Sequence, residues 1–207
     1  MNFLAHIFLA QYSQAAMLGG ILGDFVPVRH SFDFPDEMNL EIKIHRLIDS
    51  YTDRHPAVLA AKSVFPADSR RYAGILLDIY FDFLLSAHWN NFSTLPRENL
   101  IASFYQGITH YQAILPPRLL DISDHMVAHD WLGGYANWAG VSWAVERTAK
   151  RLSRNGQALI AGLPVLREAH DFLDQQFLLF FPQLQHYTEI SRAEIRLNCS
   201  DSVTEHH

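Results

Sequence analysis

The segment HRLIDSYTD, residues 45–53, gathers possible metal ligands on one face of a predicted helix. His45, Asp49 and Asp53 recur at every fourth position, and residues four apart lie on nearly the same side of an α-helix. A helix stabilised by ion pairs would carry a basic residue at one of these positions. Arg46 and Arg54 lie off this face instead, so the pattern favours a cation-binding site over a row of surface ion pairs.

A second pair of acids lies in the apolar segment ILLDIYFDFLL, residues 75–85. Asp78 and Asp82 are four residues apart, and His88 follows about two helical turns later. A carboxylate among such neighbours is costly unless it is paired or binds a metal ion. This segment is therefore predicted to be a mostly buried helix whose two acids require a cation.

Other candidate ligands lie near the start of the chain. His6 sits in the apolar segment MNFLAHIFLA, and Asp24 follows the glycine-rich GGIL. Carboxylates and imidazoles without sulfur suit Mn²⁺, Fe²⁺, Zn²⁺ or Mg²⁺, and the reaction class would be metal-assisted hydrolysis, with Arg46 binding a phosphate. The full candidate set is His6, Asp24, His45, Asp49, Asp53, Asp78, Asp82 and His88.

Five of these eight residues also have an ordinary structural interpretation. His6 could be a hydrogen-bonded core histidine, and His45 with Asp49 could form a surface pair. Asp53 could pair with Arg54, and His88 could end a helix against the core. The segment GGILGDF lacks the lysine and hydroxyl residue of a P-loop, so its glycines are interpreted as turn and packing devices.

The residues between these motifs predict an all-α protein. Apolar residues recur at three- and four-residue spacing along most of the chain, and sustained β-type alternation is absent. We expect one compact helical-bundle domain over residues 1–197 and a polar tail over 198–207. The predicted helices are 2–22 with a break near Ser13, a helix capped by Asp36 that ends at His55, and 57–65, 68–92, 97–114, 118–137, 141–154, 164–181 and 183–196.

Composition narrows the class of protein. At 207 residues the chain suits one domain. A net charge of −6 argues against nucleic acid as the main partner. The one cysteine, Cys199, allows neither an internal disulfide nor a thiolate zinc site, and no segment is apolar enough over sufficient length to cross a membrane. The predicted location is the cytoplasm, and the sequence does not indicate an oligomeric state.

Four motifs together resemble one known family. MNFLAH at the start, LGDF at 22–25, HRLIDSYTD at 45–53 and LLDIYFDFLLSAHW at 76–89 are similar in order and spacing to the acyl carrier protein phosphodiesterases. That family is regarded as a divergent, all-helical relative of the HD-domain metal phosphohydrolases. One departure is Phe83, which follows Asp82 where the family commonly has a histidine.

The resemblance implies a manganese-dependent hydrolase that removes 4'-phosphopantetheine from the serine of holo-acyl carrier protein. Its implied metal ligands are Asp24, His45, Asp49 and Asp78. Asp82 would complete the metal shell or act as the base, and Arg46 would bind phosphate. The resemblance further implies that His6 and His88 orient ligands or protonate the leaving serine oxygen.

An acidic carrier protein should meet a basic surface. Two basic patches could supply it: Arg70 with Arg71 before the acidic helix, and the stripe Arg147, Lys150, Arg151 and Arg154. Two other functions stay open at this point. One is an HD-like hydrolase of nucleotides or other small phosphodiesters, and the other is a helical binding protein without enzymatic activity.

Overall fold

A computed structural model describes residues 2–29, 32–67, 69–152 and 156–204, and these residues form helices and turns without a β-strand. The predicted all-α class is therefore confirmed over this part of the chain. The helices are α1 (Phe3–Leu9), α2 (Gln14–Leu22), α3 (Asp36–Arg54), α4 (Pro56–Ser63), α5 (Ala73–Ala87), α6 (Trp89–Phe92), α7 (Arg97–His110), α8 (Pro117–Ala128), α9 (Trp131–Gly134), α10 (Trp138–Arg151), α11 (Gly156–Ile160), α12 (Leu163–Glu168) and α13 (His170–Thr204).

Two predicted helix boundaries are confirmed, and one is off by a residue. Ser13 separates α1 from α2, where its hydroxyl accepts a hydrogen bond from the Ala16 amide at 3.0 Å. His55 ends α3 and then caps α4, accepting from the Ala57 amide through Nδ1. Asp36 is the first residue of α3 and not its N-cap, because Pro35 occupies the capping position.

Three other predicted boundaries are corrected by the structure. The acidic helix α5 begins at Ala73 and not near residue 68, after a 3₁₀ turn over Arg70–Tyr72. The predicted helix 118–137 is broken at Asp130, whose left-handed backbone (φ 42°) starts α9. Pro182 was expected to separate two helices but lies inside α13. The buried Phe180, Phe181 and Leu184 around this exposed proline keep the helix packed on the core.

The packing order places the first three helices and α5 around one region of the core. α2 lies against both α1 and α3, α5 contacts α1, α4 and α10, and α13 covers α3 and α4. α13 continues through Thr204, so the polar residues predicted as a tail from 198 begin inside this helix. None of the described helices has the length and apolar character needed to span a membrane.

The seven-residue helix α1 is anchored at both ends by charged side chains from distant helices. At its N-terminus, Asp82 of α5 accepts hydrogen bonds from the Leu4 amide (2.9 Å) and the Ala5 amide (3.0 Å). At its C-terminus, Arg192 of α13 donates to the Leu9 carbonyl at 2.8 Å. Because an isolated helix of this length is unstable in water, these contacts fix the orientation of α1 and of His6 on it.

We predict that Asp82→Ala lowers the free energy of unfolding by about 2–4 kcal/mol, because it leaves two buried amide donors without acceptors and opens a cavity. Urea unfolding followed by circular dichroism measures this change. The control is Asp121→Ala on the exposed face of α8, which should stay within about 0.5 kcal/mol of the wild type. Equal stability of the two variants would contradict the anchoring role of Asp82.

Candidate active site

Two imidazoles and two carboxylates from three segments meet beside α3. His45 Nε2 lies 3.1 Å from Asp49 Oδ2 and 3.4 Å from Asp24 Oδ1. His6 Nε2 lies 3.2 Å from Asp49 Oδ1. The spacing of four between His45 and Asp49 thus places both on one helix face, as predicted, and α1 and the end of α2 add the other two residues. We call His6, Asp24, His45 and Asp49 the His/Asp cluster.

His45 is oriented by α2. Its Nδ1 lies 2.7 Å from the carbonyl oxygen of Gly20. Since a carbonyl only accepts, Nδ1 carries the proton and donates, which turns Nε2 towards the carboxylates. Gly23 makes room for the ring, because a Cβ at this position would lie 2.1 Å from His45 Cδ2. The glycines interpreted as packing devices therefore shape the site directly.

His6 completes the buried side of the cluster. Its ring stacks on the ring of His45 with centroids 4.0 Å apart, and both side chains are almost fully buried. Burial and the neighbouring His45 lower the pKa of His6 to about 4, so its imidazole is neutral. Neither ring nitrogen makes a hydrogen bond of normal geometry to the described residues. A buried imidazole in this condition has a lone pair available for a further ligand.

The carboxylates of Asp24 and Asp49 strongly favour a positive charge within the cluster. Burial alone would lower the pKa of His45, but hydrogen bonding to Asp24 and Asp49 raises it to about 9. Burial would raise the pKa of Asp49, yet the two imidazoles hold it well below its usual range. The pKa of Asp24 is also lowered, because the hydrogen bond with His45 outweighs burial. A cation, either a proton or a metal ion, must therefore lie between Nε2 and the two acids.

The residues present fit a divalent metal ion. One ligand atom each from His6, His45 and Asp49 lies within 4.8 Å of the others, and Asp24 adjoins them through His45. A mixed imidazole and carboxylate set suits Mn²⁺, Fe²⁺ or Zn²⁺. The second nitrogen of His45 is bonded to a carbonyl, which is the usual way in which a metal-binding histidine is oriented. His6, whose ring nitrogens make no hydrogen bond of normal geometry to a described residue, supplies a second reason for a ligand here.

The exposed side of the cluster opens into a cleft of about 330 Å³. Its walls come from α1, α3, α5 and α10, and four of its side chains are carboxylates. Arg151 of α10 is the basic residue among the described residues that line it. The lining residues are Asn2, Phe3, Asp24, Asp49, Thr52, Asp53, Ile75, Asp78, Ile79, Thr148 and Arg151.

Asp78 and Asp82 do not share one role, although they share a helix face. Asp78 lines the cleft, where burial raises its pKa, but its carboxylate lies outside the close group formed by the cluster. Asp82 is fully buried and bonded to the α1 backbone, and burial raises its pKa to about 7. This placement shows that Asp82 positions α1 and does not line the cleft, while the catalytic role predicted for it stays a prediction.

Two other predicted catalytic residues lie away from the cleft. His88 bonds through Nε2 to Asp174 and stacks near Phe177, so it joins α5 to α13. Arg46 donates to the carbonyls of Val26 and Pro27, both at 3.2 Å, so it holds the segment that follows Asp24 and does not line the cleft. Spacing along a helix predicted the face of each residue but not the distant partner that it would meet.

The predicted basic stripe on α10 is divided among different surroundings. Arg147 is half-buried, with its guanidinium carbon 3.4 Å from the Trp131 ring centroid and 4.6 Å from that of Trp143, so it does not belong to an open basic surface. Lys150 is exposed, whereas Arg151 faces the cleft. Arg154 lies outside the described residues.

The other predicted basic patch stays on the surface. Arg70 and Arg71 are both exposed in the 3₁₀ turn before α5. Arg70 donates to the Phe65 carbonyl at 3.3 Å, and the guanidinium of Arg71 lies 4.8 Å from the Tyr72 ring centroid.

Comparison with known proteins shows which family the chain resembles. The family model described as acyl carrier protein phosphodiesterase matches residues 1–184. The proteins named acyl carrier protein phosphodiesterase in Escherichia coli O139:H28 (strain E24377A), O9:H4 (strain HS) and strain K12 / DH10B are each 30% identical over 185 residues, covering 89% of this chain and 95% of the relative. No solved structure shows significant similarity to the chain. All four cluster residues fall inside the matched region.

We predict that Gly23→Ala lowers the free energy of unfolding by about 1–3 kcal/mol, because the new methyl group must displace the buried His45 ring. The backbone at Gly23 is right-handed helical, so the effect is steric. The matched control is Gly74→Ala in α5, where a Cβ would meet no atom closer than Lys62 Cε at 4.0 Å. Chemical denaturation of both variants measures the difference, and equal stabilities would contradict the close fit.

We also predict a pH dependence of stability in metal-free protein. Native His45 keeps its proton up to about pH 9, whereas the unfolded chain loses it near the ordinary value of 6.5. The stabilisation is complete below pH 6.5 and is lost as the pH rises through 9, a change of roughly 3 kcal/mol. Urea unfolding of wild type and His45→Gln across this pH range isolates the contribution of His45 protonation to the free energy of unfolding. Parallel pH profiles would show that His45 does not hold the proton.

Proposed function

Because the chain belongs to the acyl carrier protein phosphodiesterase family, a family of phosphodiesterases, we propose that it hydrolyses the bond joining 4'-phosphopantetheine to the serine of holo-acyl carrier protein. The products would be apo-acyl carrier protein and free 4'-phosphopantetheine. The matched region contains the whole His/Asp cluster and the α5 wall of the cleft, so the family and the site support each other.

The surroundings of His45 are the observation that best supports a metal-dependent reaction. Its Nδ1 donates a hydrogen bond to the Gly20 carbonyl oxygen, and its Nε2 lies 3.1 and 3.4 Å from carboxylate oxygens of Asp49 and Asp24. Without a cation these atoms would repel one another. A divalent ion held by His6, His45, Asp49 and Asp24 removes the repulsion and also takes the lone pair of one His6 nitrogen. Mn²⁺ is the ion that we favour for this mixed nitrogen and oxygen set.

A metal ion bound there would act as a Lewis acid, lowering the pKa of water and offsetting charge on the phosphoryl group. The protein itself must manage two proton transfers. Hydrolysis adds water to phosphorus, breaks the bond from phosphorus to the serine oxygen, and leaves that oxygen protonated. Asp78 lines the cleft and has a raised pKa, so it suits the transfer of a proton from water to the leaving oxygen. This role replaces the one predicted for Asp82.

Carrier recognition would use the basic groups that remain exposed. Arg70 and Arg71 lie directly before α5, the helix that carries Asp78 to the cleft. Lys150 is exposed on α10, the opposite wall. An acidic carrier would be attracted to these groups as its phosphopantetheine arm enters the cleft. A relation to the HD-domain hydrolases stays a prediction, and here His45 is followed by Arg46 and pairs with Asp49 four residues later.

We predict that purified protein removes phosphopantetheine from holo-acyl carrier protein with Mn²⁺ and fails to do so with chelator. His45→Gln should lower the rate at least about a hundredfold, because it removes a ligand whose orientation the fold fixes. His88→Gln is the matched control and should retain activity, since His88 contacts Asp174 outside the cleft. Intact mass spectrometry of the carrier measures the reaction.

Two results would contradict the proposal. An unchanged carrier, with the protein shown to be folded and to bind Mn²⁺, would argue against the carrier substrate. Hydrolysis of small nucleotide phosphodiesters under the same conditions would then favour an HD-like activity. Equal loss of activity in His45→Gln and His88→Gln, with both variants folded, would contradict the placement of the site at the His/Asp cluster.

A further inference from the structure

The cleft that would receive the substrate is lined by several acidic side chains. A phosphodiester is an anion, and it must enter a space lined by Asp24, Asp49, Asp53 and Asp78. One of these acids, Asp53, has its own partner in Lys62 at 2.9 Å. Asp24 and Asp49 contact His45, and Asp78 lines the cleft beside them. A donor of permanent positive charge on the cleft wall would offset their repulsion of the substrate.

Arg151 is placed to be that donor. It lies in the last turn of α10, and it lines the same cleft as the acids of α3 and α5. No carboxylate of a described residue lies within ion-pair distance of its guanidinium, and no hydrogen bond to a described residue occupies it. Its N–H donors are therefore available, although acids line the same cleft. A guanidinium with free donors matches a phosphate group through two parallel hydrogen bonds.

The preceding turn of α10 is joined to α9 by Arg147. Its guanidinium carbon lies 3.4 Å from the ring centroid of Trp131 in α9 and 4.6 Å from that of Trp143, which belongs to α10 itself. Arg151 follows one turn later and lines the cleft, while Lys150 lines a separate surface with Glu146 and Gln157.

We propose that Arg151 binds the phosphate group of the substrate, a role that the sequence assigned to Arg46. This assignment rests on the proposed function and adds to it the residue that receives the anionic group. It also separates Arg151 from the carrier-docking surface to which the basic stripe on α10 assigned it. A phosphate-binding residue should recognise the small product as well as the intact carrier, whereas a docking residue should recognise the carrier alone.

The test compares Arg151→Gln, Arg151→Lys and the neighbouring control Lys150→Gln in Mn²⁺-loaded protein. Calorimetry measures binding of free 4'-phosphopantetheine and, separately, of apo-acyl carrier protein, which lacks the phosphate. We expect Arg151→Gln to weaken 4'-phosphopantetheine binding about tenfold or more and to leave apo-carrier binding unchanged. Arg151→Lys should fall between, because it keeps the charge without the paired donors. Lys150→Gln should match the wild type in 4'-phosphopantetheine binding and weaken apo-carrier binding alone, because Lys150 belongs to the proposed docking surface.

Steady-state kinetics with holo-carrier supplies the second readout, in which we expect Arg151→Gln to lower kcat/KM by at least the same factor. Unchanged 4'-phosphopantetheine binding in Arg151→Gln would overturn the assignment, and weaker binding of apo-carrier alone would make Arg151 a docking residue. Wild-type protein that binds Mn²⁺ but leaves holo-carrier intact would contradict the proposed function, and this assignment would fall with it. These failures are distinguishable, because only the last appears in the wild type.

Discussion

Close packing of α2 against α1 and α3 is the constraint on which the site depends. A Cβ at Gly19 would lie 2.6 Å from the Met38 carbonyl oxygen, and one at Gly20 would lie 2.9 Å from that of His6. Because these glycines have no side chains, the backbones of the three helices lie close together. The Gly20 carbonyl can therefore accept a hydrogen bond from His45 Nδ1, and the rings of His6 and His45 can stack. A glycine-rich segment without phosphate-binding chemistry of its own therefore determines the geometry of the imidazoles.

Buried charges support this packing from outside the site. Glu41 of α3 is fully buried and pairs with Arg192 of α13, whose Nε lies 2.6 Å from Glu41 Oε1. The same guanidinium donates to the Leu9 carbonyl at the end of α1. Removing one member would leave the other charged and buried, which is far more costly than the pair itself. With Asp82 at the opposite end of α1, these residues hold His6 in register with His45 across helices that are distant in sequence.

The sequence predicted the local part of the site better than its long-range part. The four-residue spacing of His45 and Asp49 was sufficient, because both residues belong to α3 and helix geometry alone relates them. The same spacing in α5 misled, since Asp78 reaches the cleft whereas Asp82 meets the amides of α1. A buried carboxylate can pair with a base, bind a metal ion or, like Asp82, accept hydrogen bonds from the open end of a second helix. Only the tertiary arrangement decides between these outcomes.

The surroundings of the basic residues likewise depend on the tertiary arrangement and not on helical spacing alone. On α10, one turn separates Arg147, which contacts two tryptophan rings, from Arg151 in the cleft, so helical spacing alone could not assign them a common surface. The chain carries a net charge of −6, yet the proposed carrier substrate is acidic as well. At physiological ionic strength the Debye length is about 8 Å, so exposed charges farther apart than this are largely screened. A carrier approaching Arg70 and Arg71 therefore experiences that local patch much more strongly than the net charge, which makes an acidic enzyme compatible with an acidic partner.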